Sequence, residues 1–67
     1  MPKIYTKIVV TTKNKEYHGL YNDPTTTRIH YNIVVSCWKH EKFVEMGTNN
    51  GRVTILSSII ESVEIKN

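Results

Sequence analysis

A chain of 67 residues holds one domain, spanning 1–67, and buries only about 60% of the surface that it exposes unfolded. Its single cysteine excludes an internal disulfide, and its net charge of +3 suits nucleic acid, nucleotides or an acidic protein partner without choosing among them. No apolar run reaches the roughly 18 to 20 residues of a membrane span, and Met1-Pro2-Lys3 does not lead into the apolar core of a secretory signal. The expectation is a cytoplasmic protein, with no membrane contact, that supplements its small core by forming a homo-oligomer. Alanine is absent, which argues against long helices because the best helix former is missing.

From Lys3 to Thr12 the chain alternates, with Ile4, Thr6, Ile8, Val10 and Thr12 on one face. This predicts a strand with its even face inward, and its β-branched residues favour that state. A polar turn over Lys13–Glu16 leads to a returning strand, Tyr17–Tyr21. Gly19 inside that strand predicts a bulge, a bend or the close approach of another backbone. Asn22-Asp23-Pro24 stops the pairing, and Thr25-Thr26-Thr27 continues the loop or opens the next strand. Arg28–Trp38 then alternates Ile29, Tyr31, Ile33, Val35 and Cys37 against Arg28, His30, Asn32, Val34, Ser36 and Trp38. The odd face is expected in the core.

Lys39-His40-Glu41 reads as a charged turn and Lys42–Thr48 as a further strand. Asn50-Gly51 is a strong hairpin signal, since Asn and Gly best tolerate the positive φ of a type I′ turn. A turn centred there sets Asn49 opposite Arg52, Thr48 opposite Val53 and Met46 opposite Ile55, with Val44, Met46, Val53 and Ile55 on one face. Alternation breaks at Ser57-Ser58, and Ser58-Ile59-Ile60-Glu61 fits a capping box that predicts one helical turn. Strand spacing resumes with Glu61, Val63 and Ile65 against Ser62, Glu64 and Lys66. The whole reads as an all-β domain of five to six antiparallel strands.

Val10 to Leu20, with Lys13-Asn14-Lys15-Glu16-Tyr17-His18-Gly19-Leu20, and then Asn32-Ile33-Val34-Val35, resemble in outline the first motif of the Sm-like small barrels, an SH3-like architecture. Gly51-Arg52-Val53-Thr54-Ile55 and the turn into Ser62-Val63-Glu64-Ile65 are similar to that family's second motif. The resemblance implies a small antiparallel barrel with a short helical turn before its last strand. Leu20 directly follows Gly19, and Leu56-Ser57 stands where the family has a basic residue and glycine. The family's RNA-pocket residues are therefore not carried over.

The candidate chemistry is that of binding. His18, His30, His40 and Cys37 are metal-ligand types, yet no tight pair of ligand pairs is present. Cys37 reads as a buried thiol rather than a nucleophile paired with His40, the six acidic residues are scattered, and nothing calls for a cofactor. A non-enzymatic module is expected. Outward positions instead interleave aromatic and basic groups: His18 and Tyr21, Arg28 and His30, and Trp38 with Lys39, His40 and Lys42. Such surfaces stack bases and meet phosphates.

On a strand, Arg28 and Trp38 would stand about 33 Å apart at 3.3 Å per residue, so only an oligomer would bring Arg28 to Trp38, Lys39 and Lys42. The leading expectation is binding of nucleic acid or a phosphate-bearing nucleotide. The alternative is a small inhibitor or adaptor that binds another protein through an exposed edge strand or aromatic patch.

Overall fold

Alternation accounts for most of the burial in the first hairpin. The computed structural model describes residues 6–48 and 50–66, so the Lys3–Tyr5 part of the expected first strand and the expected facing of Asn49 lie outside the described residues. Lys7–Thr12 forms β1 and Glu16–Leu20 forms β2, paired antiparallel with Ile8 opposite Gly19 and Val10 opposite Tyr17. Ile8, Val10 and Thr12 are buried, as the even-face reading requires, but Val9, on the face read as outward, is buried too at 2% exposed. Thr12 also closes the turn, donating from Oγ1 to the Lys15 carbonyl at 2.8 Å and accepting from the Lys15 amide at 3.1 Å.

The expected strand over Arg28–Trp38 is an α-helix. α1 runs Pro24–Lys39, 16 residues without an alanine. Its start is written in Asp23-Pro24. Asp23 is the N-cap, its Oδ1 accepting from the Thr26 amide at 2.8 Å, and its carbonyl accepts from Thr27 Oγ1 at 2.7 Å. Pro24 occupies the first helical position, where a missing N–H costs nothing. Thr27, Tyr31, Val34 and Trp38 recur at helical spacing and turn inward: Thr27 and Val34 are buried, while Tyr31 and Trp38 pack against the core. Ile33, expected inside, is 52% exposed, and so Arg28–Trp38 has no odd-numbered core face.

The helix ends in a Schellman arrangement. The Lys42 amide donates to the Cys37 carbonyl at 2.8 Å and the Glu41 amide to the Trp38 carbonyl at 3.2 Å, with Glu41 at φ 58°. β3, Val44–Thr48, and β4, Gly51–Ile55, follow as an antiparallel hairpin. Thr48 pairs with Gly51 and Met46 with Val53, so the register is two residues from the Asn50-Gly51 expectation. Thr48 Oγ1 accounts for the shift, because it accepts from the Asn50 amide and donates to the Gly51 carbonyl. A two-residue shift preserves facing, and Val44, Met46 and Ile55 are buried with Val53 packed beside them. Gly51 keeps the expected positive φ, 106°.

A helical turn does form, as a 3₁₀ turn over Ser57–Ile59, but its N-cap is Leu56 with no side-chain cap, so Ser58 and Glu61 do not make the expected capping box: Ser58 lies inside the turn and Glu61 in β5, Ile60–Lys66. β5 pairs with β1 and not with the preceding hairpin, which sets Ile8 opposite Ile65 and Val10 opposite Val63. Thr11 faces Ser62 while Thr12 faces Ile60, so Glu61 is skipped in a bulge that leaves it exposed and turns Ile60 inward. The result is a three-stranded sheet, β2-β1-β5, and a two-stranded sheet, β3-β4. Their inner faces meet α1 around Ile8, Val10, Val34, Val44, Met46, Ile55 and Ile60, each such side chain contributing roughly 1.5–3 kcal/mol on burial. The fold is thus mostly β with one helix rather than all-β, and among the described residues the five strands form two sheets and no closed barrel. No described helix is long and apolar enough to cross a membrane.

Candidate functional surface

The helix changes the geometry of the basic residues. Ten steps of α-helix span about 15 Å, less than half of the strand distance, so Arg28 and the residues near Trp38 share one continuous element within a single chain. At 3.6 residues per turn Thr25, Arg28, Asn32, Ser36 and Lys39 fall within about 80° of arc. All five are exposed, on the side of α1 opposite the buried Thr27 and Val34. Ile29 and Ile33, 54% and 52% exposed, run along one flank of this stripe. No oligomer is needed to place Arg28 and Lys39 together.

Trp38, Lys39, Glu41 and Lys42 line a groove of about 550 Å³ at the C-terminal end of α1, with Phe43, Leu56 and Ser57. Ser57 builds it: its hydroxyl donates to the Lys42 carbonyl and lies 3.4 Å from the Cys37 carbonyl, tying the 3₁₀ turn to the end of the helix. Trp38 contributes a wall rather than a free face, since it packs against the core. Phe43 is 62% exposed. It was not among the residues expected here, although its place after the charged turn makes it the apolar neighbour of Lys42.

The other expected residues separate into three places. His40 is the C-cap of α1, its Nδ1 2.8 Å from the Ser36 carbonyl, which caps the helix end. His30 stacks on Tyr21, ring centroids 4.7 Å apart at 19°, and partial burial pushes the Tyr21 phenol above its usual range while the Arg52 guanidinium opposes that shift. His18 is remote from α1's outer stripe. It pairs with Glu16 at 3.2 Å in a shallow cleft of about 300 Å³ shared with Lys15, Tyr17, Arg52 and Val53. There Lys15 Nζ lies 4.8 Å from the centre of the Tyr17 ring, and Arg52 on β4 pairs with Glu45 on β3 at 3.2 Å. In this cleft Arg52 and His18 each have a carboxylate neighbour, Glu45 and Glu16.

The acidic residues complete the electrostatic picture. Of the six in the chain none falls in α1, whose ends are flanked by Asp23 and Glu41. Hydrogen bonds from the Thr26 hydroxyl and amide hold the Asp23 carboxyl below its ordinary range. Among the described residues no group of three or more His, Cys, Asp and Glu side chains is placed to hold a metal. Compared with models of known families, with curated proteins and with solved structures, the chain matches none of them.

Proposed function

We propose that the protein is a non-enzymatic, homo-oligomeric binding module whose ligand is nucleic acid or a phosphate-bearing nucleotide, met by α1 and the turn after it. One observation carries this reading. A 16-residue helix with no Asp or Glu exposes Arg28 and Lys39 on its outer side, and Lys42 follows it beyond Glu41, so a polyanion approaching this side meets cations without a carboxylate between the helix ends. The salt dependence of binding tests it. Affinity for an oligonucleotide should fall steeply as salt rises, because each phosphate contact releases counterions, and Lys39→Ala with Lys42→Ala should flatten that slope. Salt-independent binding would overturn the reading.

A second reading is supported by Phe43 and Leu56, 62% and 51% exposed beside one groove. Neighbouring exposed apolar side chains of this kind suit a protein partner, which would make the chain a small inhibitor or adaptor. Phe43→Ala would weaken such a complex with little change in its salt response.

A further inference from the structure

We infer that the ligand is double-helical DNA and that α1 enters its major groove, an inference that rests on the nucleic-acid reading above and specifies the form of nucleic acid. An α-helix with its side chains is about 10–12 Å across, and the major groove of B-DNA is about 12 Å wide. Entry requires three things of a helix. It must stand clear of the body along one side, carry no carboxylate towards the phosphates, and present hydrogen-bonding side chains in a narrow stripe. α1 meets all three: Thr25, Arg28, Asn32, Ser36 and Lys39 are exposed on the side away from Val34, and the 16 residues contain no acid.

The side chains in the stripe are of the types that distinguish base pairs. An Arg forks onto the O6 and N7 acceptors of guanine, an Asn pairs with N6 and N7 of adenine, and Ser or Thr hydroxyls accept or donate to either. Arg28 and Asn32 sit one turn apart near the middle of the exposed side, with Ser36 a turn beyond. Ile29 and Ile33 lie beside them, where branched apolar groups meet thymine methyls. Lys39 at the end of the helix and Lys42 just past it fall where the groove wall brings phosphates, which position rather than specify.

The aromatic residues point the same way by elimination. A single-stranded ligand is held by successive exposed rings on which bases stack. Among the described residues Tyr17, Tyr21, Tyr31 and Trp38 are partly buried against the core, Phe43 alone of the Phe, Tyr and Trp rings is exposed, and the exposed imidazoles are engaged, His18 with Glu16, His30 with Tyr21 and His40 with the Ser36 carbonyl. One ring makes no platform. A-form RNA is disfavoured too, because its major groove is too deep and narrow for side chains to read.

The test is selection from a pool of DNA duplexes randomised over about two helical turns, followed by anisotropy titration of the recovered duplex, its separated strand and the RNA duplex of the same sequence. The expected result is an enriched short sequence, tightest binding to the DNA duplex, and a loss of about tenfold or more for Arg28→Ala and for Asn32→Ala, the range of one lost bidentate base contact. Both side chains are exposed and Ala favours the helix, so circular dichroism should show the fold retained. Lys13→Ala, away from α1, should bind as the parent does. Salt-dependent binding with no enriched sequence, with equal affinity for single strands, or unchanged by Asn32→Ala would overturn the inference and leave the nucleic-acid reading standing. No binding to any of the three nucleic acids would overturn both.

Discussion

Gly19 lies so tightly against Met46 that a Cβ built on the glycine would stand 2.8 Å from both Cγ and Sδ of the methionine, and 3.1 Å from the Gly47 carbonyl oxygen. This contact is where β2 meets β3, and so where one sheet meets the other. The absent side chain sets how closely the two strands approach. Gly19→Ala should therefore destabilise the protein by about 1–3 kcal/mol, the usual cost of overpacking a closed contact, read as a lower midpoint in urea. Gly47→Ala is the control, because a Cβ there meets nothing within 4 Å. Equal midpoints for Gly19→Ala and the parent would show that the two strands do not meet as described.

The cap at the start of α1 responds to pH. The Asp23 carboxyl has its folded pKa lowered by hydrogen bonds from the Thr26 hydroxyl and amide, so the ionised form is the one that the fold prefers. Its stabilising contribution is complete above the ordinary carboxylate range and is lost as pH falls through the lowered folded pKa. Asp23→Asn retains a capping oxygen without the titration. Its midpoint should stay near the parent's at neutral pH and fall less on acidification, whereas Asp23→Ala should be weaker at every pH above that range. An acid limb identical in parent and Asn variant would remove Asp23 from the linkage.

These two residues also show what was legible beforehand. Gly19 inside the Glu16–Leu20 strand reads as a bulge, a bend or a close approach, and the last of these is what forms. The even face of β1, the shared face of Val44, Met46, Val53 and Ile55, the break in alternation at Ser57-Ser58 and the last strand follow from alternation, which is local, whereas the capping box read at Ser58 and Glu61 does not form. α1 was not legible because two patterns overlap in it. Ile29, Ile33, Val35 and Cys37 alternate as a strand would, and the true inward set, Thr27, Tyr31, Val34 and Trp38, begins with a polar threonine that weakens the helical period. Asp23-Pro24 carried the deciding signal, since an N-cap followed by a proline suits a helix start as well as a strand stop. The candidate surface suffered accordingly: Arg28 and Lys39 were expected at opposite ends of a strand, and they share one side of a helix.

Glu41 holds the left-handed position of the Schellman turn at φ 58°, where glycine is the usual occupant and a Cβ costs roughly 1–2 kcal/mol. Glycine restores the conformation and gives back part of the gain through its greater freedom unfolded. Glu41→Gly should raise stability by about 0.5–1 kcal/mol, and it also removes a carboxylate beside Lys42. The same variant should thus bind a polyanion more tightly at low salt. Glu41→Val should lower the urea midpoint, and a Val variant as stable as Gly would mean that the turn does not need a left-handed residue.

Trp38 divides fold from recognition. It sits at the inward edge of α1's last turn and packs against the core while its remaining edge lines the groove with Lys39, Lys42 and Phe43. A large aromatic in that position is worth most as packing: Trp38→Ala should cost about 3 kcal/mol of stability, near the lower end for truncating a buried aromatic because one edge is open. Phe43, 62% exposed, loses little packing when truncated, so Phe43→Ala should shift the urea midpoint by under about 1 kcal/mol. The indole of the parent should emit to the blue of free tryptophan in water. Nucleic acid bound along α1 should alter that emission only modestly, without the strong quenching of a stacked base. Strong quenching by a single-stranded oligonucleotide, together with a Trp38→Ala variant as stable as the parent, would make Trp38 a stacking surface and move recognition from the face of α1 to its end.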